Sequence, residues 1–209
     1  MNLDQLKRAA SIPQERAEEW LPILKAVFEE FDINTPLRQA AFIAQMGHES
    51  SGFTRTIQNF NYSVKELKDM FGGVLGDERC EILGRQPEES AVPLNRQQAI
   101  ANLVYNGQRG NKAPDDGWKY RGRGLIKIKC LDDYQKCGKA LRLDLIKYPE
   151  LLVQDGHAAR SAGWMWQKSG CNELADNDDI REITRLLSPF YVGLEDRLAR
   201  YKKAKRHLK

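Results

Sequence analysis

In the segment A-F-I-A-Q-M-G-H-E-S-S-G-F, residues 41–53, Glu49 follows a histidine at the end of an apolar helical run. Small residues that can turn come directly after it. A carboxylate at that end meets the negative pole of the helix dipole, and apolar neighbours withhold water. Both effects favour the protonated acid, which is the form a general acid for glycosidic cleavage needs. A lone glutamate at a helix end is more often an ordinary surface residue, so the assignment depends on the groups that accompany it.

The elements that must hold Glu49 read as a succession of helices. Trp20, Leu24, Val27, Phe28 and Phe31 repeat at helical spacing, with Pro22 expected to kink or restart that helix. Thr35-Pro36 reads as an N-cap followed by proline at the first helical position, and Leu37, Ala41, Ala44 and His48 then share one face up to Gly52. Ser63 and Glu66 form a capping box ahead of Leu67, Met70 and Phe71, with a stop expected at Gly72-Gly73. Asn95 with Gln98 resembles another cap. Residues 106–124, with five glycines and one proline, read as a long loop. Leu125-Ile126-Lys127-Ile128 is the one β-like run nearby, and alternation in a strand puts Lys127 and Lys129 on one face. Helices resume at 131–141, 156–168, 179–187 and 193–206. The expectation is a mainly α protein, one domain over residues 1–209 with a helical insert at about 64–105.

Composition narrows the function classes. The chain has 209 residues, 41% of them hydrophobic, with a mean hydropathy of −0.61, which suits a soluble globular protein with a real core. No apolar run approaches the ~20 residues needed to cross a bilayer. The segment M-N-L-D-Q-L-K-R-A-A has no apolar stretch behind its charges, so it is not a secretory signal. The expectation is synthesis in the cytoplasm, with action on a cell wall only after release by another route. Cys80, Cys130, Cys137 and Cys171 make no C-x-x-C pair and the three histidines lie far apart, which argues against zinc. No cofactor is expected, and the thiols are expected to be reduced and mostly buried. The formal charge is +4, and Lys202, Lys203, Lys205, Arg206 and Lys209 crowd the C-terminus. A solvated helix end explains that run better than a nucleic-acid surface, since Tyr201 is the one aromatic residue within it.

Five blocks occur in order: A-F-I-A-Q-M-G-H-E-S-S-G-F, N-F-N-Y-S, A-N-L-V-Y, D-G-W-K-Y-R-G-R-G-L-I and G-L-E-D-R-L-A-R-Y. Together they resemble the bacterial and phage branch of the family nineteen glycoside hydrolases, the chitinase-like endolysins, from about Leu37 to Lys205. The resemblance implies a lysozyme-like, two-lobed helical fold with a groove, a very small β element and a monomeric state. It implies a substrate among β-1,4-linked amino-sugar polymers, peptidoglycan or chitin, with Glu49 as general acid. It also implies substrate-binding roles for Gln58, Asn61, Tyr62, Tyr120, Arg121, Arg123, Lys127, Lys129, Asp133, Tyr134, Ser188 and Arg197, the last supporting the carboxylate network. Several of these depart from the family pattern. Gln58 stands where the family carries a second glutamate, Lys127 and Lys129 replace Gln and Ser or Thr, Asp133 replaces Asn, and L-S-P-F replaces I-N-G-G.

An inverting mechanism needs an acid and a base, and Gln58 cannot accept a proton from water. Two readings follow. In one, a hydrolase recruits Asp133, Asp115 or Asp116 as base, or works with Glu49 alone as single-carboxylate lytic transglycosylases do. In the other, the groove survives in a non-catalytic descendant that binds glycan or a protein. The two lysines are expected either to pair with Glu49 and Asp133 or to meet an anionic ligand.

Overall fold

The structure is a computed structural model and describes residues 1–188 and 192–209. Twelve α-helices occur among the described residues. In chain order these are α1 (Leu3–Ala10), α2 (Gln14–Glu30), α3 (Pro36–Glu49), α4 (Val64–Leu75), α5 (Asp77–Leu83) and α6 (Leu94–Tyr105). They are followed by α7 (Asp116–Lys119), α8 (Leu131–Leu141), α9 (Asp155–Lys168), α10 (Cys171–Asp176), α11 (Ile180–Leu187) and α12 (Leu194–His207). A 3-10 turn, Pro149–Val153, precedes α9. The β content of the described residues is three isolated bridges: Ile57 with Arg123, Ser63 with Arg85, and Arg123 with Ile128. No described helix is long and apolar enough to cross a membrane.

Local chemistry sets several of these boundaries. Thr35 accepts a hydrogen bond from the Arg38 amide and Pro36 opens α3. Ser63 and Glu66 exchange both bonds of a capping box at the start of α4. Other expectations yield to tertiary packing. α2 runs unbroken through Pro22, because Ala17, Trp20, Leu24, Val27 and Phe28 bury one continuous face on either side of it. α4 passes Gly72-Gly73 and ends at Gly76, φ +77, after Leu75 has been buried. Asn95 caps nothing: α6 already starts at Leu94 behind Pro93, whose fixed φ presets the turn. The loop at 106–124 contains the short helix α7.

Two apolar clusters form the interior. The larger gathers α1–α3 and α8–α12 around Trp20, Phe28, Phe42 and Trp166; Phe42 meets Phe28 edge-on at 5.6 Å and Trp166 at 5.4 Å between ring centres. Each such side chain contributes about 1.5–3 kcal/mol by leaving water. The smaller cluster, from α4–α6, centres on Phe60 with Leu67, Leu75, Ile100 and Tyr105. The chain crosses between them at residues 128–130, for Ile128 belongs to the larger cluster and Cys130 to the smaller. All four cysteines are free and buried.

Residues 124–128 lead into this crossing, and they make a tight turn in place of the expected strand. Gly124 has φ +83 and Lys127 φ +56, neither compatible with extended chain. The turn is docked by its backbone: the Gly124 amide donates to Thr56 O at 2.8 Å and the Leu125 amide to Ala158 O at 3.2 Å. A Cβ on Gly124 would lie 2.4 Å from Ser161 Oγ, so only glycine permits this approach to α9. The apolar residues that mimicked a strand, Leu125 and Ile128, are both buried, but through an i, i+3 turn.

Candidate active site

Glu49 is the last residue of α3, and its carboxylate opens into a groove of about 620 Å³. Arg109, Lys127, Lys129, Asp133, Lys168 and Ser188 also line that groove, over an apolar floor that includes Ile128, Met165 and Leu186. Glu49 is gripped from behind. Arg197 on α12, 1% exposed, donates to Glu49 Oε1 and to Gln45 Oε1, and its Nε donates to Val192 O at 3.2 Å. The Gln45 amide donates in turn to Thr184 Oγ1 at 2.8 Å. The Glu49 carboxylate is thus fixed by a buried chain running through α3, α11 and α12. The start of α12 must come very close to α3 for this: a Cβ on Gly193, φ +73, would lie 2.2 Å from the His48 ring. His48 Nδ1 is itself 2.6 Å from Asp196 Oδ2.

Lys127 reaches the groove from the turn and Lys129 from just after it, neither from a strand face. They do not pair with the carboxylates: Arg197 holds Glu49, and Arg109 Nη1 holds Asp133 Oδ2 at 2.6 Å. Lys127 Nζ donates to Arg55 O and, at 3.3 Å, to Gly124 O, which ties the turn to the segment after α3. Burial lowers the Lys127 pKa to about 8, against the opposing pull of the Glu49 charge, and Arg55 adds to the lowering. Burial also lowers the Lys129 pKa, with Arg109 adding to it, while Cys130, Glu49 and Asp133 oppose. Both ammonium groups therefore feel Glu49 without touching it. With four cations against two carboxylates, the groove has a positive excess.

Gln58 stands beside this turn, half-buried. Its Oε1 accepts from Tyr105 Oη at 3.0 Å and from the Gly122 amide at 3.2 Å. Burial pushes the Tyr105 hydroxyl up to about 12, with the Gln58 bond acting the other way. Tyr62 is raised by burial too, again opposed by Gln58, and it packs edge-on against Phe71 at 5.7 Å. Asn61 Oδ1 accepts from the Val92 amide at 2.9 Å, joining the segment before α4 to the one before α6. Ser188 closes α11 at the groove wall, whereas residues 189 and 190 of the L-S-P-F segment lie outside the described residues.

Tyr120 and Tyr134 are buried, 5.3 Å apart between ring centres. The Tyr134 hydroxyl donates to Arg121 O at 2.7 Å and accepts from Arg123 Nη1 at 2.8 Å. Arg121 and Arg123 line a different hollow from the groove that holds Glu49. Of the carboxylates considered as base, Asp115 lines that other hollow, and Asp116 accepts from the Lys112 and Ala113 amides, both at 2.8 Å. Asp133 alone of the three faces Glu49's groove.

Sequence reasoning missed Gln45, Thr184, Arg109 and Lys168. Gln45 had a readable signal, since it stands four residues before Glu49 on the same helix face. Arg109 had none, because a polar loop residue shows no periodicity.

The helical architecture and the groove with its terminal glutamate define a lysozyme-like class of protein. No family model matches the chain. Over 182 residues it is 33% identical to a glycosyl hydrolase family 19 domain-containing protein of Haemophilus influenzae, covering 86% of this chain and 84% of that one. The chain belongs to glycosyl hydrolase family 19. It is also 26% identical over 152 residues to chitinase 12 of Oryza sativa, covering 69% of this chain and 39% of the rice protein. The crystal structure of chitinase C from Streptomyces griseus superposes with a TM-score of 0.58 at 17% identity, covering 99% of this chain and 76% of that one, a likeness of fold.

Proposed function

We propose that this protein cleaves the β-1,4-linked amino-sugar backbone of bacterial peptidoglycan, with Glu49 as the general acid. The observation that carries the reading is that Glu49 and Asp133 open into one groove whose other charges are all cationic. Glu49 protonates the leaving glycosidic oxygen from one wall. Asp133, the second carboxylate of the groove, takes the proton of the attacking water, the role that the family pattern gives to a glutamate at position 58. Arg109 must swing off Asp133 for this, which its half-exposed side chain permits. The positive excess complements the stem-peptide carboxylates of peptidoglycan, which neutral chitin lacks.

A second reading has one specific observation in its favour. The Glu49 carboxylate already accepts from the buried guanidinium of Arg197, and the family's second carboxylate is replaced by Gln58, which cannot serve as base. In that reading the groove binds peptidoglycan without cutting it.

One experiment separates the two. Reducing-end release from purified peptidoglycan and from chitin is measured for the wild type and Glu49→Gln, alongside co-sedimentation with the same polymers. Release from peptidoglycan that vanishes in Glu49→Gln supports cleavage. Co-sedimentation without release supports the binding reading, and neither signal refutes both.

A further inference from the structure

Arg121 and Arg123 line a hollow of about 400 Å³ together with Gln98, Asn102, Asp115 and Lys119. It shares no lining residue with the groove of Glu49. Three cations there face one carboxylate, and neither arginine forms an ion pair among the described residues.

Their donors are mostly unspent. Arg121 Nη1 donates to Trp118 O at 2.8 Å, and its guanidinium lies 3.6 Å from the Trp118 ring centre. Arg123, 5% exposed, uses Nη1 for both Lys119 O at 2.7 Å and the Tyr134 hydroxyl. The Nε of each arginine is buried without an acceptor, and neither Nη2 has one among the described residues. A guanidinium taken from water and left without a counter-charge is costly, and two neighbours of like sign compound that cost. Burial, with the Arg123 charge adding to it, lowers the Arg121 pKa to about 10.

Stacking on Trp118 accounts for where Arg121 lies but not for the second buried arginine beside it. An oxyanion accounts for both, because its charge offsets the two cations and its oxygens can accept from the Nη2 groups that no described residue engages. The side-chain amide of Gln98 adds a neutral donor on the wall of the same hollow, while Asn102 donates to Asp115 Oδ1 at 3.3 Å. We propose that Arg121 and Arg123 form a binding site for a single oxyanion group, the phosphate or carboxylate of an acidic ligand, separate from the groove of Glu49.

The test uses the full chain and the arginine Nε–Hε resonances in nitrogen–proton NMR spectra. The protein is titrated with inorganic phosphate and, separately, with succinate, at ionic strength held constant with chloride. The expected result is a saturable shift of the Arg121 and Arg123 signals with at least one anion, and the tighter of the two identifies phosphate or carboxylate as the source. In Arg121→Gln the half-saturation concentration should rise roughly tenfold or more, as a charge-assisted bond and one of the cations are lost. Linear drift equal to that in chloride for both anions overturns the proposal, as does unchanged saturation in Arg121→Gln. Should that variant fail to fold, the wild-type titration decides alone, since saturation at both arginines is the claim.

Discussion

Arg197→Met tests whether the buried guanidinium is what fixes the Glu49 carboxylate. Arg197 is 1% exposed and donates to Glu49, Gln45 and Val192 O. Removing one partner of a buried pair costs ~3–5 kcal/mol, because the remaining charge stays uncompensated. The Glu49 side chain keeps 20% exposure, so water partly solvates it. The lower end of that range, about 3 kcal/mol, is therefore the appropriate figure. Gln45 Oε1 loses its donor inside the core as well, adding about 1 kcal/mol. Methionine restores most of the lost volume, so cavity formation adds little. A total of about 4 kcal/mol corresponds to a Tm lower by roughly 8–16 °C for a chain of this size. The assay is thermal unfolding by circular dichroism. If the orphaned charge is the cause, adding Glu49→Gln to Arg197→Met should recover about 2 kcal/mol. A Tm loss under ~3 °C, or no recovery in the double variant, would refute the reasoning.

Three further outcomes follow from the site. Lys127 loses its proton at about 8 in the folded chain and at 10.5 when unfolded, so the unfolded state holds more protons between those values. Its contribution to stability therefore rises from pH 8 to 10.5, and Lys127→Gln should remove that rise; urea unfolding of both proteins at several pH values checks it, and parallel curves would count against a desolvated amine. Asp133→Asn should abolish reducing-end release while co-sedimentation with peptidoglycan persists, and undiminished release would remove Asp133 as the base. Gln58→Glu should recover little further activity, because Lys127, Lys129, Asp133 and Ser188 still differ from the family pattern and groups acting as a unit do not add. A large gain in release from that single change would show position 58 to be the only lesion.

Much of this protein is settled by interactions that span a few residues, and those are legible in its sequence. Thr35-Pro36 and Ser63 with Glu66 satisfy their own helix ends, so α3 and α4 begin where the residues say. The apolar periods of α8, α9, α11 and α12 place those helices within a residue or so for the same reason. Glu49 could be singled out because its position at a helix end is local too.

What it touches could not be read that way. Its partner Arg197 is 148 residues away, and the resemblance to a family suggested that pairing where no spacing could. At residues 124–128 local and long-range preferences conflict: the apolar pattern suits a strand, but the backbone bonds to Thr56 and Ala158 and the positive φ of Gly124 and Lys127 impose a turn. The same packing decided that Arg109, not a lysine, holds Asp133, and that Arg121 and Arg123 face another hollow. Sequence fixes which charges exist and which helices carry them. Only the folded chain decides which charges meet, because that depends on burial and approach between segments that are distant along the chain.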